Sequence, residues 1–243
     1  MARPPETIRL PARGWRIDRR KALVVAALCW VGFALMGGLV SSGRTGSFDK
    51  PGLLFWRTGA GLVPKGPKFL LEWVRDITSL GGILLRNLVA IGAVSALLFL
   101  RLRREAILLA LTVIGAWIVE GTIKALVGRP RPEIVPHLTE AGGASFPSGH
   151  AFNSAVVYIA IALAFATLSA RQSVRLTIIG TAIVLSLVIA WSRVWLGVHF
   201  PSDVTAGWLG GAGWAFLAAA LLQRPAEKAA ESKTAEKLDP TEK

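Results

Sequence analysis

The sequence predicts an all-α, polytopic membrane protein with six transmembrane helices and an interfacial helical segment in the first connection. Of the 243 residues, 53% are hydrophobic. Several apolar runs approach the roughly 20 residues that a helix needs to cross a bilayer. Basic residues concentrate in the segments that separate and flank these runs, as they do in membrane proteins.

Six apolar segments are the candidate spans. Four of them contain no charged residue: 22–40, 151–170, 176–191 and 204–222. The segment 106–127 carries only Glu120 and Lys124, both near its end. The segment 77–100 contains Arg86 and gives the weakest signal of the six.

The chain divides into three predicted parts. A basic segment, 1–21, precedes the membrane domain at 22–222, and a charged tail follows at 223–243. The first apolar run is long for a signal peptide, and no convincing small-residue cleavage pattern follows it, so we expect it to remain as an anchor. Neither polar end has the apolar pattern needed to build a core.

The first connection, 41–76, differs from an ordinary polar loop. Its part from 51 to 76 mixes basic residues with aromatic and aliphatic ones, among them Phe55, Trp56, Phe69 and Trp73. Segments of this composition lie at the membrane surface with their apolar side chains among the lipid head groups. This one either guides a lipid substrate or only covers the helix bundle.

The formal net charge of +13 is distributed by topology rather than as a nucleic-acid surface. Lys and Arg cluster before span one, between spans two and three, between spans four and five, and in the tail. All these segments lie on one side of a six-span protein, so the termini are predicted to be cytoplasmic. The first connection also carries six basic residues, which opposes this orientation.

Three short motifs lie in order at the ends of predicted spans three to six. They are Lys124-x6-Arg131-Pro132, Pro147-Ser148-Gly149-His150 and Ser192-Arg193-x5-His199-x3-Asp203. In the predicted orientation they all face outward, toward the periplasm or exterior. Two histidines, a carboxylate and three basic side chains can hold a phosphoryl group and pass it through a phosphohistidine.

Spacing suggests how these residues work together. Asp203 follows His199 by four residues, so a helical turn would let its carboxylate accept a hydrogen bond from one imidazole nitrogen. The other nitrogen would then be free as a nucleophile. Ser148 and Gly149 precede an apolar helix, whose free N–H groups favour an anion, and glycine permits close approach.

Together the motifs resemble the type 2 phosphatidic acid phosphatase superfamily, whose members remove phosphate from lipid phosphates and diphosphates. The resemblance covers residues 124–203 closely and the six-span layout more loosely. It implies a nucleophilic His199, general acid catalysis by His150, and phosphate binding by three cations: Lys124, Arg131 and Arg193. It implies no metal and no cofactor.

The resemblance also implies the partners and the location. The expected partners are a lipid phosphate and the bilayer, with no nucleic acid, and the expected location is the bacterial inner membrane. Segments 48–49 and 76–82 are weakly similar to bacterial lipid phosphatases and favour undecaprenyl diphosphate or phosphatidylglycerophosphate. A lipid A phosphate is a further alternative, because the reacting residues do not distinguish monophosphates from diphosphates.

Four further residues have simpler expected roles. Glu120 precedes Lys124 by one helical turn and is expected to pair with it. Arg129 lies outside the motifs and is expected to extend to the membrane interface. His137 is expected to be a loop residue, and Cys29, the single cysteine, has no partner for an intramolecular disulfide.

Two other functions are compatible with parts of the pattern. A vanadate haloperoxidase uses a similar pocket, but a chain of 243 residues that lies mostly in the membrane has no room for the additional soluble scaffold. A phosphate or lipid transporter could bind an anion with the same cations. Transporter sites usually lie near the midplane between repeated halves, whereas these motifs gather at one face.

Overall fold

The computed structural model describes residues 17–238, with side chains described as far as residue 221. The elements, in chain order, are α1 (Arg19–Ser41), α2 (Gly46–Leu54), β1 (Arg57–Thr58), β2 (Val63–Pro64), α3 (Lys68–Ser79), α4 (Ile83–Phe99), α5 (Arg103–Val127), α6 (Gly149–Ala166), α7 (Gln172–Trp195) and α8 (Pro201–Leu238). The predicted all-α class is confirmed. The two short strands form one antiparallel hairpin in the first connection.

Five of these helices are long and apolar enough to cross a membrane, namely α1, α5, α6, α7 and the part of α8 from Pro201 to Leu221. A sixth span is formed if the bent pair α3 and α4 counts as one. Each candidate span overlaps one of the six apolar segments. The protein is therefore a multi-pass membrane protein.

The second span begins differently from its prediction. A continuous segment from residue 77 was expected, but α3 ends at Ser79 and α4 starts at Ile83, with a bend of 47° between them. Gly81 lies in the bend, where an added Cβ would collide with Ile189 and touch His150. A glycine here therefore lets the bend pack directly against α7 and the start of α6.

Helix α6 is the centre of the bundle and packs against α5, α7 and α8. Its crossing with α8 is close because two glycines of α8 face its backbone. A Cβ at Gly207 would lie 2.7 Å from the carbonyl oxygen of Ser148, and one at Gly211 would collide with the carbonyl of Phe152. This contact brings the amino-terminal ends of α6 and α8, which carry motif residues, next to each other.

The predicted interfacial segment consists of α2, the hairpin and α3. Helix α3 packs against α7, while Phe69 and Trp73 stay exposed on it with their rings 5.4 Å apart. Such exposed aromatic residues are typical of the membrane interface.

The ends of the chain are described only in part. Residues 1–16 of the predicted basic segment lie outside the described residues. Helix α8 continues through residue 222 to Leu238, so the predicted boundary of the charged tail marks a change in composition and not the end of a helix.

Candidate active site

The motif residues meet around one cavity of about 550 Å³. Six of the eight predicted site residues line it: Lys124, Arg131, Gly149, His150, Arg193 and His199. The other two, Ser148 and Asp203, lie fully buried behind these. The ends of four helices, α5 to α8, and two connections therefore converge on the site.

His199 lies in the turn between α7 and α8 and is only 2% exposed. Its Nε2 is 3.0 Å from a terminal nitrogen of Arg131. A guanidinium can only donate, so Nε2 is the acceptor and the ring proton is on Nδ1. Burial lowers the pKa of His199 to about 4, which keeps the imidazole neutral at neutral pH.

The expected direct hydrogen bond between His199 and Asp203 is wrong in detail. Nδ1 of His199 is 3.6 Å from Oδ2 of Asp203, too far for a hydrogen bond. The hydroxyl of Ser145 stands between them, 3.3 Å from Nδ1, and donates to Oδ2 of Asp203. Asp203 therefore orients the imidazole mainly through Ser145. The motifs gave no signal for this serine, because a single Ser in a glycine-containing loop is common.

Arg129 was expected at the membrane interface, and this was wrong. Its guanidinium binds the side chains of Asp203, Ser202, Asp49 and Thr45. The side chain is only 16% exposed, because the connection after α5 folds back over the start of α8. Arg129 therefore holds the side of the Asp203 carboxylate that faces away from His199.

Asp49 completes this support from the first connection. One carboxylate oxygen is 2.8 Å from Arg129, and the other accepts a hydrogen bond from the backbone N–H of Ser202 at 2.9 Å. Asp49 is 2% exposed. No motif predicted this contact, since Asp49 lies more than 150 residues from Ser202 in the chain.

The three predicted phosphate-binding cations occupy different walls of the cavity. Lys124 pairs with Glu120 at 2.7 Å, which confirms the expected pair one turn apart. Arg193 donates to the hydroxyl of Thr78 at 3.0 Å, and its Nε has no partner among the described residues. Arg131 binds the carbonyls of three loop residues: Gly142, Gly143 and Val198.

The amino terminus of α6 faces these cations. Ser148 caps the helix, and its buried hydroxyl has no partner among the described residues. A Cβ at Gly149 would lie 3.0 Å from Glu120 and 3.2 Å from the Lys124 ammonium, so a glycine lets these two side chains approach the helix terminus closely. His150, the second residue of α6, completes this wall. The arrangement suits an anion held between a helix terminus and side-chain cations.

His137 lies in the connection before α6, as expected, with Nε2 2.7 Å from the carbonyl of Pro132. Within the described part of the chain, no three His, Cys, Asp or Glu side chains come together in an arrangement that could hold a metal ion.

Comparison with known proteins places this site in a family. The model of the PAP2 superfamily matches residues 105–226, half of the chain. The chain belongs to the PAP2 superfamily. Its three motifs all lie inside the matched region, so the resemblance seen in the sequence is confirmed.

PAP2 relatives and a solved PAP2 structure agree with this membership. Phosphatidylglycerophosphatase B of Bacillus subtilis is 34% identical over 145 residues, which cover 57% of this chain and 68% of that protein. An undecaprenyl-diphosphatase of Sulfolobus acidocaldarius is 30% identical over 50% of this chain and 57% of its own. The crystal structure of a transmembrane PAP2 type phosphatidylglycerolphosphate phosphatase from Bacillus subtilis has a TM-score of 0.72 and 25% identity, covering 84% of this chain and 96% of that one.

PAP2 membership makes this chain a hydrolase of the membrane lipid phosphatase type. The transporter and haloperoxidase alternatives are therefore set aside.

Proposed function

We propose that the protein hydrolyses the terminal phosphate of a lipid diphosphate, with undecaprenyl diphosphate as the leading candidate, through a phosphohistidine on His199. One observation carries the mechanism. Nε2 of His199 bears a lone pair beside the cavity, next to Arg131, while Nδ1 is contacted by Ser145, whose hydroxyl donates to Asp203. A nucleophile needs such an orientation and a neutral ring.

In the first step Nε2 of His199 attacks phosphorus, and the bond from phosphorus to the leaving oxygen breaks. A protonated His150 gives its proton to that oxygen. Arg131 must leave Nε2 and, with Lys124 and Arg193, bind the three equatorial oxygens of the phosphoryl group. The Nδ1 proton stays toward Ser145, and the Asp203 carboxylate stabilises the positive ring.

In the second step water attacks the phosphohistidine. His150, now neutral, accepts a proton from this water, and the nitrogen–phosphorus bond breaks to release inorganic phosphate and neutral His199. Three cationic side chains and the amino terminus of α6 neutralise the phosphate charge, a role that a divalent ion has in many phosphatases. No step needs a metal or an organic cofactor.

The substrate assignment is supported by the relatives and by the cavity. The Sulfolobus relative is named an undecaprenyl-diphosphatase, and four cationic side chains line the cavity, one more than the three that bind the transferred phosphoryl group. Phosphatidylglycerophosphate is the second candidate, because both Bacillus proteins are named for it. Lipid A phosphate would react by the same mechanism.

The proposed location is the bacterial inner membrane with both termini in the cytoplasm. The excess of Lys and Arg before span one and in the even-numbered connections supports this orientation. It places His150, His199 and Lys124 near the outer leaflet, where a recycled cell-envelope carrier lipid would be displayed.

The test uses the purified full chain in detergent with four substrates: undecaprenyl diphosphate, phosphatidylglycerophosphate, phosphatidate and a lipid A phosphate. We expect phosphate release, fastest from undecaprenyl diphosphate. With a terminally 32P-labelled substrate and an alkaline quench, label should stay on the wild-type protein and be absent from His199→Ala. Release of phosphate without any labelled protein, or labelling of His199→Ala, would contradict the phosphohistidine.

A further inference from the structure

We propose that Arg86 binds the second phosphate of a lipid diphosphate, the one that leaves with the lipid. This inference rests on the proposed function and refines its substrate class. Arg86 lies in α4, outside all three motifs and outside the region matched by the PAP2 model. It is the fourth cation in the cavity lining.

The side chain of Arg86 is buried but poorly satisfied. The residue is 5% exposed, and one terminal nitrogen donates to the carbonyl of Gly81 at 2.9 Å. Its Nε has no hydrogen-bond partner, and no carboxylate forms an ion pair with it, within the described part of the chain. A buried charge in a membrane span is costly and usually serves a ligand or a pathway. An anion in the cavity would supply the missing partner.

The position of Arg86 relates it to the leaving group. Gly81, which accepts its hydrogen bond, packs directly against the ring of His150. His199 is instead contacted by Arg131. Because the acid must lie beside the leaving oxygen and the nucleophile opposite it, a cation near His150 lies where the leaving group is bound.

The chemistry of the leaving group then selects the substrate class. A lipid diphosphate leaves as a lipid monophosphate, whose charge a guanidinium can bind and stabilise as the bond breaks. A lipid monophosphate leaves as an alcohol, which gives Arg86 no charge to bind.

A purely structural role makes a different prediction. If Arg86 only fixes the bend between α3 and α4 through Gly81, its loss should impair every substrate alike. The decisive quantity is therefore the ratio of kcat/KM for a diphosphate to that for a monophosphate of the same prenyl alcohol. Both are measured on one preparation, so partial unfolding cancels from the ratio.

We expect Arg86→Gln to lower kcat/KM for prenyl diphosphate about 10- to 100-fold, and that for prenyl monophosphate less than about threefold. Arg86→Lys should recover part of the diphosphate activity, because it keeps the charge. The matched control is Arg57→Gln. Arg57 is a buried arginine, 4% exposed, that binds the carbonyl of Trp195 away from the cavity. The ratio of kcat/KM for the diphosphate to that for the monophosphate should be the same in Arg57→Gln as in the wild type.

The outcomes separate the two proposals. Equal losses on both substrates in Arg86→Gln would overturn the role of Arg86 and leave the proposed function intact. A wild type that hydrolyses only monophosphates would overturn both the diphosphate assignment and the role of Arg86, while the phosphatase chemistry would stand. A wild type that releases phosphate from no lipid substrate would overturn the proposed function itself.

Discussion

The guanidinium of Arg131 donates a hydrogen bond to Nε2 of His199 at 3.0 Å. This is the nitrogen that attacks phosphorus in the proposed mechanism, so the resting site keeps its nucleophile covered. The other donors of Arg131 bind backbone carbonyls. In that mechanism, binding of the phosphoryl group moves Arg131 away from His199, and this exposes the lone pair.

Replacing Ser145 by alanine should slow the chemical step. Its hydroxyl bridges His199 and Asp203, and a hydrogen bond to a charged group contributes about 1.5–3 kcal/mol. We expect kcat to fall about 10- to 100-fold with little change in KM. The control is Ser154→Ala, which removes a buried hydroxyl bonded only within its own helix. Unchanged kcat in Ser145→Ala would show that Asp203 acts on His199 without the bridge.

The pH dependence of the reaction should reflect the burial of His199. Because burial lowers its pKa to about 4, the nucleophile should become protonated only near pH 4. We expect the profile of kcat/KM to have an acid limb near pH 4, where His199 of the free enzyme becomes protonated. An acid limb near pH 6.5 that follows His199 would contradict the described environment.

The same pKa shift predicts how stability changes with pH. The unfolded chain protonates His199 near pH 6.5, whereas the folded chain does so only near pH 4. The unfolded state therefore binds more protons between these values, so stability from this group is lost as the pH falls from about 6.5 to 4. The thermal midpoint of His199→Gln should vary less with pH over this interval than that of the wild type.

Chelation should leave the enzyme active. Cationic side chains and a helix terminus bind the phosphate in the proposed mechanism, so hydrolysis should continue at the same rate in excess EDTA. Loss of activity that magnesium or zinc restores would rule the mechanism out.

Asp49→Asn should weaken both stability and catalysis. It leaves Arg129 with one carboxylate, Asp203, instead of two. We expect a loss of about 1–3 kcal/mol in unfolding free energy and a severalfold lower kcat. Asp76→Asn, an exposed carboxylate in α3, should change stability by no more than about 0.5 kcal/mol. If Asp49→Asn and Asp76→Asn changed stability and kcat equally, Asp49 would not support the site through Arg129.

Cysteine labelling tests the orientation. On a Cys29→Ala background, a cysteine in place of Thr139 in the connection between α5 and α6 should react with a membrane-impermeant maleimide in intact spheroplasts. One in place of Ser232 should react only after lysis. The opposite pattern would show that the topology is inverted and that the site does not face outward. It would not affect the proposed phosphatase chemistry.

The sequence predicted the residues that line the cavity better than those that support them from behind. Lys124, His150 and His199 have fixed spacings to neighbouring motif residues, and the Lys124–Glu120 pair follows from one helical turn. Ser145, Arg129 and Asp49 could not be predicted in the same way. Their contacts join connections far apart in the chain, and only the packing of the helices brings them together.

The fold, too, was predicted from the sequence only in part. Hydrophobicity located five spans and the apolar part of the bent pair α3 and α4, because span length follows from bilayer thickness. The bend between α3 and α4 depends instead on contacts of Gly81 with α6 and α7, which no local pattern reveals. Arg86 made its segment the weakest candidate span, yet the structure places this residue in the cavity lining.

Asp49 supports Asp203 through Arg129, and this contact affects which part of the chain could be transferred to another scaffold. Residues 105–226, which define the family match, contain every motif residue but lack Asp49 and Arg86. A chimaera that grafts only this stretch onto another six-helix scaffold would transfer the reacting groups and leave behind one anchor of Arg129 and the fourth cation of the cavity. The first two spans and the connection between them therefore supply contacts to the site in addition to anchoring the chain in the membrane.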